Sequence, residues 1–309
     1  MPLPSPPGRP PGWIPPGQRS PQVIMGGSKV VGVGHRVLAS SGAGPSGLID
    51  GHTLSQMMTI MGDRAIRMFL PFFETDAVDD TPVQDVGPRG HHFLKHNTSD
   101  QPPYIKGHVL AYRLNGLAPP NGEAFDMADN DDFSMGADGT VPNEPAFTVG
   151  IAVRFNDVNE NVLISRYDAT ALALECEYMF ETDNFGHVVL RCFDNTPGVH
   201  IGRYTDMLTA YGGNDTWYIL VGTYDGSCVA GGIRVYINGV QADDSTWNAG
   251  GYVAMHNKTV VTAVGYREGL GVLEHFLDGD CWGPFITKKE LTAGEVLSLT
   301  NIYRKVLRL

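Results

Sequence analysis

Alternation of apolar and polar positions is clearest between Trp217 and Gly239, in WYILVGTYDGSCVAGGIRVYING. Tyr218, Leu220 and Gly222 alternate with Ile219, Val221 and Thr223, and further on Val235 and Ile237 alternate with Arg234 and Tyr236. Period-two patterning rich in β-formers predicts two strands. Tyr224-Asp225-Gly226-Ser227 supplies turn chemistry between them. Asn238-Gly239 predicts a tight type I′ turn after the second, because both residues tolerate positive φ. LECEYMFETDNFGHVVLRCFD (174–194) reads as a hairpin turning at Asp183-Asn184-Phe185-Gly186.

Helical spacing is rarer. Over 52–68, Leu54, Met57, Met58 and Met61 recur at i, i+3, i+4 and i+7, with Thr53 placed to cap the start. Such a methionine stripe is ordinary packing material. A strand across 64–73 competes for the second half of this stretch. Near the other end, Thr292 and Glu295 have the spacing of a capping box and predict a short closing helix.

The first 22 residues contain nine of the 21 prolines, which excludes helix and interior strand and leaves an extended arm. Trp13 and Ile14 give that arm something to bury against a neighbour. Residues 23–50 are glycine-rich and weakly β-like; Gly32-Val33-Gly34 is not a nucleotide loop, since no helical pattern follows it. The expected organisation is an arm over 1–50, a short helical or strand connector over 51–65, and one domain over 66–309.

Composition narrows the class. Among 309 residues there are 38 glycines and only 18% charged side chains, which suits an all-β chain with many turns. A net charge of −12 argues against nucleic acid and against anionic membranes as partners. No apolar run is long enough to span a bilayer, and no signal-peptide pattern opens the chain, so synthesis and retention in the cytoplasm are expected. Cys176 and Cys192 could meet across the hairpin, but free buried thiols are the simpler reading in a reducing compartment.

The ordered set of segments resembles the laminin-G-like, concanavalin A-like β-sandwich family. The ladder over 217–239 is similar to its central strand pair. Phe72, Phe73 and Glu74, followed by Asp85-Val86-Gly87-Pro88-Arg89-Gly90-His91-His92, look like its opening. EAFDMADNDDFSMG (123–136), FTVGIAVRF (147–155), VLISRYD (162–168) and TVVTAVGYREG (259–269) resemble later strands. On FTVGIAVRF, Phe147, Val149, Ile151 and Val153 fall on one face. FLDGDCWGPFITKKELTAGEVLSLTNIY (276–303) resembles the closing strand and helix. The resemblance implies an all-β fold, a two-sheet antiparallel jelly-roll sandwich over 66–309 behind an extended N-terminal arm.

It also implies chemistry to weigh. Glycosidases of this fold need two carboxylates across a sugar. Glu175-Cys176-Glu177 and Asp278-Gly279-Asp280 are the nearest strings, and neither has the family's spacing, so a non-enzymatic protein is expected. Many relatives hold one structural Ca²⁺ through oxygen ligands. The family's aspartate on the closing strand corresponds to Trp282, leaving Asp280 as a substitute, with Asp85, Asp126, Asp129 and Asp132 as further donors. His91, His92 and His96 form the one histidine cluster and read as a surface turn. For carbohydrate, the candidates are Trp247 in a polar loop, Tyr252, Tyr211 and Asn214; Trp217 is set aside as a core aromatic.

Together these features suggest a tailed-phage virion component, a capsid decoration, head-fibre or tail protein. Its arm over 1–50 would join it to major capsid or tail proteins, and homo-oligomers of three-fold symmetry suit such sites. A carbohydrate-binding, host-recognition module is the alternative.

Overall fold

The computed structural model describes residues 49–72, 82–96, 104–107, 109–117, 122–136, 144–169, 174–195, 197–269 and 272–309. The arm residues Trp13 and Ile14, and the expected opening pair Phe73 and Glu74, lie outside them. In chain order the elements begin with helix α1 (Gly51–Met61) and strands β1 (Ile66–Phe69), β2 (Pro82–Val83), β3 (Phe93–His96), β4 (Tyr104–Lys106), β5 (Val109–Asn115) and β6 (Ala124–Met127). Then come β7 (Phe147–Phe155), β8 (Val162–Ala169), β9 (Leu174–Thr182), β10 (His187–Asn195), β11 (His200–Met207), β12 (Trp217–Tyr224) and β13 (Ile233–Ile237). The chain closes with β14 (Val240–Gln241), β15 (Asp243–Thr246), β16 (Thr262–Val264), β17 (Arg267–Gly269), β18 (Val272–Glu274), β19 (Asp278–Thr287) and helix α2 (Ala293–Leu307).

Among the described residues these strands form two sheets. The smaller, of eight strands, runs β14-β13-β12-β7-β19-β5-β4, with β1 beside the second half of β19. The larger, of eleven, runs β15-β11-β10-β9-β8-β16-β6-β3-β2, with the β17–β18 hairpin attached to β8. Pairing is antiparallel except where β17 runs parallel to β8. The result is the two-sheet sandwich that the alternation predicts.

The core lies between the sheets. Val149, Ile151 and Val153 of β7 face it, as do Phe180 of β9 and Val188, Leu190 and Cys192 of β10. The Phe147 and Tyr178 rings meet across the gap at 5.2 Å. Each such side chain contributes roughly 1.5–3 kcal/mol when fully buried. The strand pair at 217–239 forms as expected, with Leu220 opposite Ile237. Asn238 and Gly239 sit at φ 53° and 84°, the two left-handed residues of the predicted turn.

A third layer covers the outer face of the small sheet. Trp282 alternates with core-facing Cys281 and packs edge-on against Tyr303 of α2, ring centroids 4.7 Å apart. Thr287 Oγ1 donates to the Met61 carbonyl of α1 at 2.7 Å, so the two helices share this face. Met57 and Met61 are fully buried in the same core as the sandwich.

Two local expectations need correction. The cap of α1 is Asp50, whose carboxylate accepts from Thr53 N and Thr53 Oγ1 at 2.8 and 3.0 Å; a carboxylate three residues earlier takes the bonds Thr53 was expected to make. The helix also stops at Met61, because Gly62 adopts φ 80° and reverses the chain, so that the competing strand forms as β1. The capping box of α2 is as expected, with Thr292 and Glu295 bonding reciprocally.

Cys176 and Cys192 are free thiols. A bulge sets Cys192 opposite Tyr178 and Cys176 opposite Asn195. Cys192 keeps the core-facing alternation of Val188 and Leu190, while an extra residue on β9, between the pairs Arg166–Tyr178 and Tyr167–Cys176, turns Cys176 to the other face of the sheet.

Candidate functional site

On β10 the core-facing residues are Val188, Leu190 and Cys192, so the pleat turns Val189, Arg191 and Phe193 to the outer face of the large sheet. Across to β11, Arg191 stands opposite Gly202 and Phe193 opposite His200. Trp247, just past β15, ties itself to β11 by donating its N–H to the Gly202 carbonyl at 2.8 Å. Gly202 has no side chain, and needs none: a Cβ there would lie 2.9 Å from Arg191 Cγ and 3.2 Å from the Trp247 carbonyl oxygen. The bare backbone lets Arg191 lie flat between two rings.

The Arg191 guanidinium sits 4.5 Å from the Trp247 ring centroid and 5.4 Å from that of Phe193. Cation–π contacts of this kind are worth about 0.5–2 kcal/mol, more as water is excluded. Glu181 of β9 accepts from Arg191 Nη2 and fixes the fork from the far side. His200 meets Trp247 edge-on at 5.9 Å and Phe193 at 5.5 Å. The patch continues along the sheet through Tyr167, 5.2 Å from Phe193, to Arg267, 5.3 Å above Tyr167. Trp247 is half-buried, while His200 and Phe193 are buried.

His200 is held in one tautomer. Its Nδ1 lies 3.1 Å from the Pro197 carbonyl, which can only accept, so Nδ1 carries the proton. Burial lowers the ring's pKa from its ordinary value, and the Arg191 charge lowers it further, against the pull of the Pro197 bond. His200 Nε2 and Arg191 Nε are both buried and have no hydrogen-bond partner among the described residues.

Of the four sequence candidates for carbohydrate, Trp247 belongs to this patch and the other three lie elsewhere. Tyr252 donates its hydroxyl to both oxygens of Glu144, at 2.8 and 2.9 Å. Burial raises the Glu144 pKa, and its bonds to Tyr224, Met255 and Tyr252 oppose that rise. Asn214 Oδ1 accepts from Val158 N at 3.1 Å. Tyr211 stands exposed on the helical turn after β11. Trp217 packs against the core. Arg191, His200, Phe193, Glu181 and Gly202 carried no sequence signal of their own. The pairing that brings Glu181 beside them, opposite Val189 and two residues from Arg191 on the same face, is offset by one from a count outward from the 183–186 turn.

The expected calcium set is not brought together. Asp280 lies between two arginines, accepting from Arg113 Nε at 3.1 Å and Arg154 Nε at 2.7 Å, and two adjacent guanidinium charges repel a divalent cation. Asp85 accepts from three backbone N–H groups, those of Phe69, Gly87 and His91, at 2.7–3.0 Å. Burial pushes its carboxyl up to about 7 despite them. Asp126 accepts from the Tyr266 hydroxyl at 2.5 Å. Asp129 and Asp132 pair with Arg166 and with Arg89 and His91. Among the described residues no group of three or more His, Cys, Asp or Glu side chains is placed to hold a metal ion.

The carboxylate strings considered for glycoside hydrolysis are engaged elsewhere. Glu177 is buried against Arg166, with both oxygens hydrogen-bonded. Asp278 accepts from Asn156 Nδ2 at 2.7 Å. Among the described residues no helix is long and apolar enough to cross a membrane.

Fold and patch together define a two-sheet β-sandwich with a cation-backed aromatic surface on its larger sheet. No family model and no curated protein sequence matches the chain. Solved structures do share its fold. The binding domain of Paraclostridial Mosquitocidal Protein 1 aligns over 78% of this chain and 53% of its own, at 14% identity and TM-score 0.55. Botulinum neurotoxin type C, in a structure concerned with cell entry through two ganglioside molecules, aligns over 79% and 52%, at 12% identity and TM-score 0.54. The binding domain of botulinum neurotoxin DC, in complex with rat synaptotagmin II, aligns over 77% and 52%, at 12% identity and TM-score 0.52. The chain therefore spans about half the length of these structures, and the likeness is one of fold.

Proposed function

We propose that the chain is a non-enzymatic carbohydrate-binding module, with its site on the outer face of the large sheet around Trp247. The observation that carries this reading is the half-buried Trp247 indole, held in a fixed orientation by Arg191 and His200. A rigid aromatic surface beside polar groups is what the apolar face of a pyranose stacks on. The fold is also that of botulinum neurotoxin structures concerned with ganglioside-dependent cell entry and with synaptotagmin II. This reverses the order of the sequence expectation, in which recognition of a glycan came second to a virion role.

The virion role is the finer proposal. It rests on the proline-rich stretch of residues 1–22, with Trp13 and Ile14, and on the acidic balance of the chain. In that proposal residues 1–50 join the module to capsid or tail proteins, and copies of the chain associate.

A glycan array with the full chain and Trp247→Ala tests the binding reading. Saturable binding by the wild type is expected, weakened at least about tenfold by the substitution, roughly 1.4 kcal/mol. The melting transition should persist. Equal binding by both proteins, or no saturable binding by either, overturns it.

A further inference from the structure

Where β1 pairs with the end of β19, two cations stand side by side. Arg67 is the extra residue of the bulge in that pairing, and Lys288 directly follows the last residue of β19. Both side chains are half-buried. Arg67 Nη1 donates to the carbonyls of Arg64, Ala65 and Ile66 at 3.0, 3.2 and 3.4 Å, which leaves Nη2 with no hydrogen bond among the described residues. The same Ala65 carbonyl accepts from Lys288 N at 2.8 Å. One oxygen atom therefore bridges the guanidinium and the Lys288 backbone, and the flexible four-carbon stem of lysine brings its ammonium alongside.

Neither charge is matched. Arg154, Arg203, Arg267 and Lys289 each meet a carboxylate. Arg67 and Lys288 make no ion pair among the described residues. The carboxylates that act on Lys288 are Asp132 and Glu177, and both are already engaged. Asp132 holds Arg89 and His91 at 3.1 and 2.9 Å, and Glu177 holds Arg166 at 2.9 Å. Burial lowers the Lys288 pKa and the Arg67 charge lowers it further; burial and the Arg89 charge do the same to Arg67. Like charges half withdrawn from water leave a local positive field, in a chain whose formal net charge is −12.

The donors left over choose the anion. A carboxylate favours the bidentate fork of a guanidinium. On Arg67 both edges of that fork are closed, because Nη1 is taken by carbonyls and Nε is covered. What remains is Nη2 beside an ammonium that acts as a point charge. A tetrahedral oxyanion suits this pair, since it sends single oxygens in several directions and carries more than one negative charge at neutral pH. We infer that Arg67 and Lys288 form a binding site for a phosphate or sulfate group, one oxygen accepting from Arg67 Nη2 and another from Lys288 Nζ. The group belongs either to the free ion or to an ester on a sugar, since half-buried donors leave its outer side open. This site shares no residue with the Trp247 patch and stands or falls apart from the proposed function.

The test uses the full chain with inorganic phosphate, inorganic sulfate, acetate and glucose 6-phosphate, the ionic strength held constant with sodium chloride so that screening is the same throughout. Calorimetric titration should give saturable binding of phosphate and sulfate and none of acetate, and thermal unfolding should shift upward with the first two. Lys288→Met keeps the length of the stem and removes the charge. It should weaken phosphate at least about tenfold. Without anion it should melt no lower than the wild type, because a repulsion has gone. Glucose 6-phosphate binding as tightly as phosphate assigns the site to esters, and its exclusion assigns it to the free ion. Should Lys288→Met fail to fold, the ¹⁵N shifts of Arg67 Nη2 and Lys288 Nζ on adding phosphate to the wild type decide the matter.

No saturable effect beyond that of chloride, acetate binding as well as sulfate, or phosphate affinity unchanged in Lys288→Met overturns the inference. So do ¹⁵N shifts that leave both side chains unmoved. Each of these results leaves the reading of the Trp247 patch as it was.

Discussion

Two arginine–glutamate pairs bracket β9, and they have opposite characters. Arg166 pairs with Glu177 near the start of the strand, and Arg191 pairs with Glu181 near its end. Arg166 donates from Nε and Nη2 to Glu177, from Nη1 to Thr262 Oγ1, and from Nη2 to Asp129 and the Lys258 carbonyl, at 2.8–3.1 Å. Glu177 in turn accepts from Ser134 Oγ, Met135 N and Lys258 N. The pair is saturated, and it clamps the loops around 130–135 and 258 to the sheet. Arg191 has its fork bonded to Glu181 and its faces covered by rings, yet its Nε has no partner among the described residues. The same two residue types thus make a saturated clamp at one end of the strand and the backing of an aromatic patch at the other.

The largest expected effect breaks the clamp. Arg166→Ala strands Glu177 as a buried, unpaired carboxylate, and removing one partner of such a pair costs about 3–5 kcal/mol. Urea unfolding should show it as a fall in midpoint with unchanged slope. A loss under about 1 kcal/mol would mean that the clamp contributes little and the contrast between the pairs fails.

Asp85 sharpens the comparison from a third side, as a buried carboxylate with N–H donors. Its carboxyl titrates at about 7 in the folded protein against 3.8 ordinarily. Between those values the folded state holds a proton that the unfolded chain has released. Its contribution to stability is full below about pH 4 and is lost as pH rises through 7, by about 4 kcal/mol in all. Unfolding midpoints from pH 4 to 8 should therefore decline more steeply for the wild type than for Asp85→Asn. Parallel profiles would show that the three backbone donors already keep Asp85 ionised.

Arg191→Met is the smallest of the three. The side chains of Arg191 and Glu181 are 12% and 6% exposed, so the substitution removes a cation–π contact and leaves Glu181 buried without its counter-charge, at a cost of about 3 kcal/mol, the lower end for a buried pair. Binding at the patch should fall far more than stability does. If thermal unfolding shifts as much as for Arg166→Ala, the second pair is a clamp as well.

What could be read from the sequence follows the range of the forces involved. The strand pair at 217–239, the Asn238-Gly239 turn, the 183–186 hairpin and the Thr292–Glu295 box are each set by residues a few positions apart, and each appears as expected. The cap of α1 was missed because Asp50 and Thr53 both suit an N-terminus, and only the backbone dihedrals decide between them. Trp247 was legible as an aromatic in a polar loop. Its partners were not, because Arg191, His200 and Phe193 meet it through pairings between β10, β11 and β15 that a bulge can shift by a residue. The same kind of shift, on β9 between Cys176 and Tyr178, puts Cys176 and Cys192 on opposite faces. The calcium set failed for a similar reason: nothing local announces that Arg113 and Arg154, from two different strands, both reach Asp280.

Gly202 has a consequence for how such a surface can be tuned. Any methyl group at that position would crowd the aliphatic stem of Arg191 from below, its carbon only 2.9 Å from Cγ. The guanidinium would be levered off the indole without a change in any ionisable group. A single uncharged replacement there would thereby uncover the tryptophan ring, pressing at the same time on the Leu190 and Trp247 carbonyl oxygens, 3.1 and 3.2 Å from the added carbon.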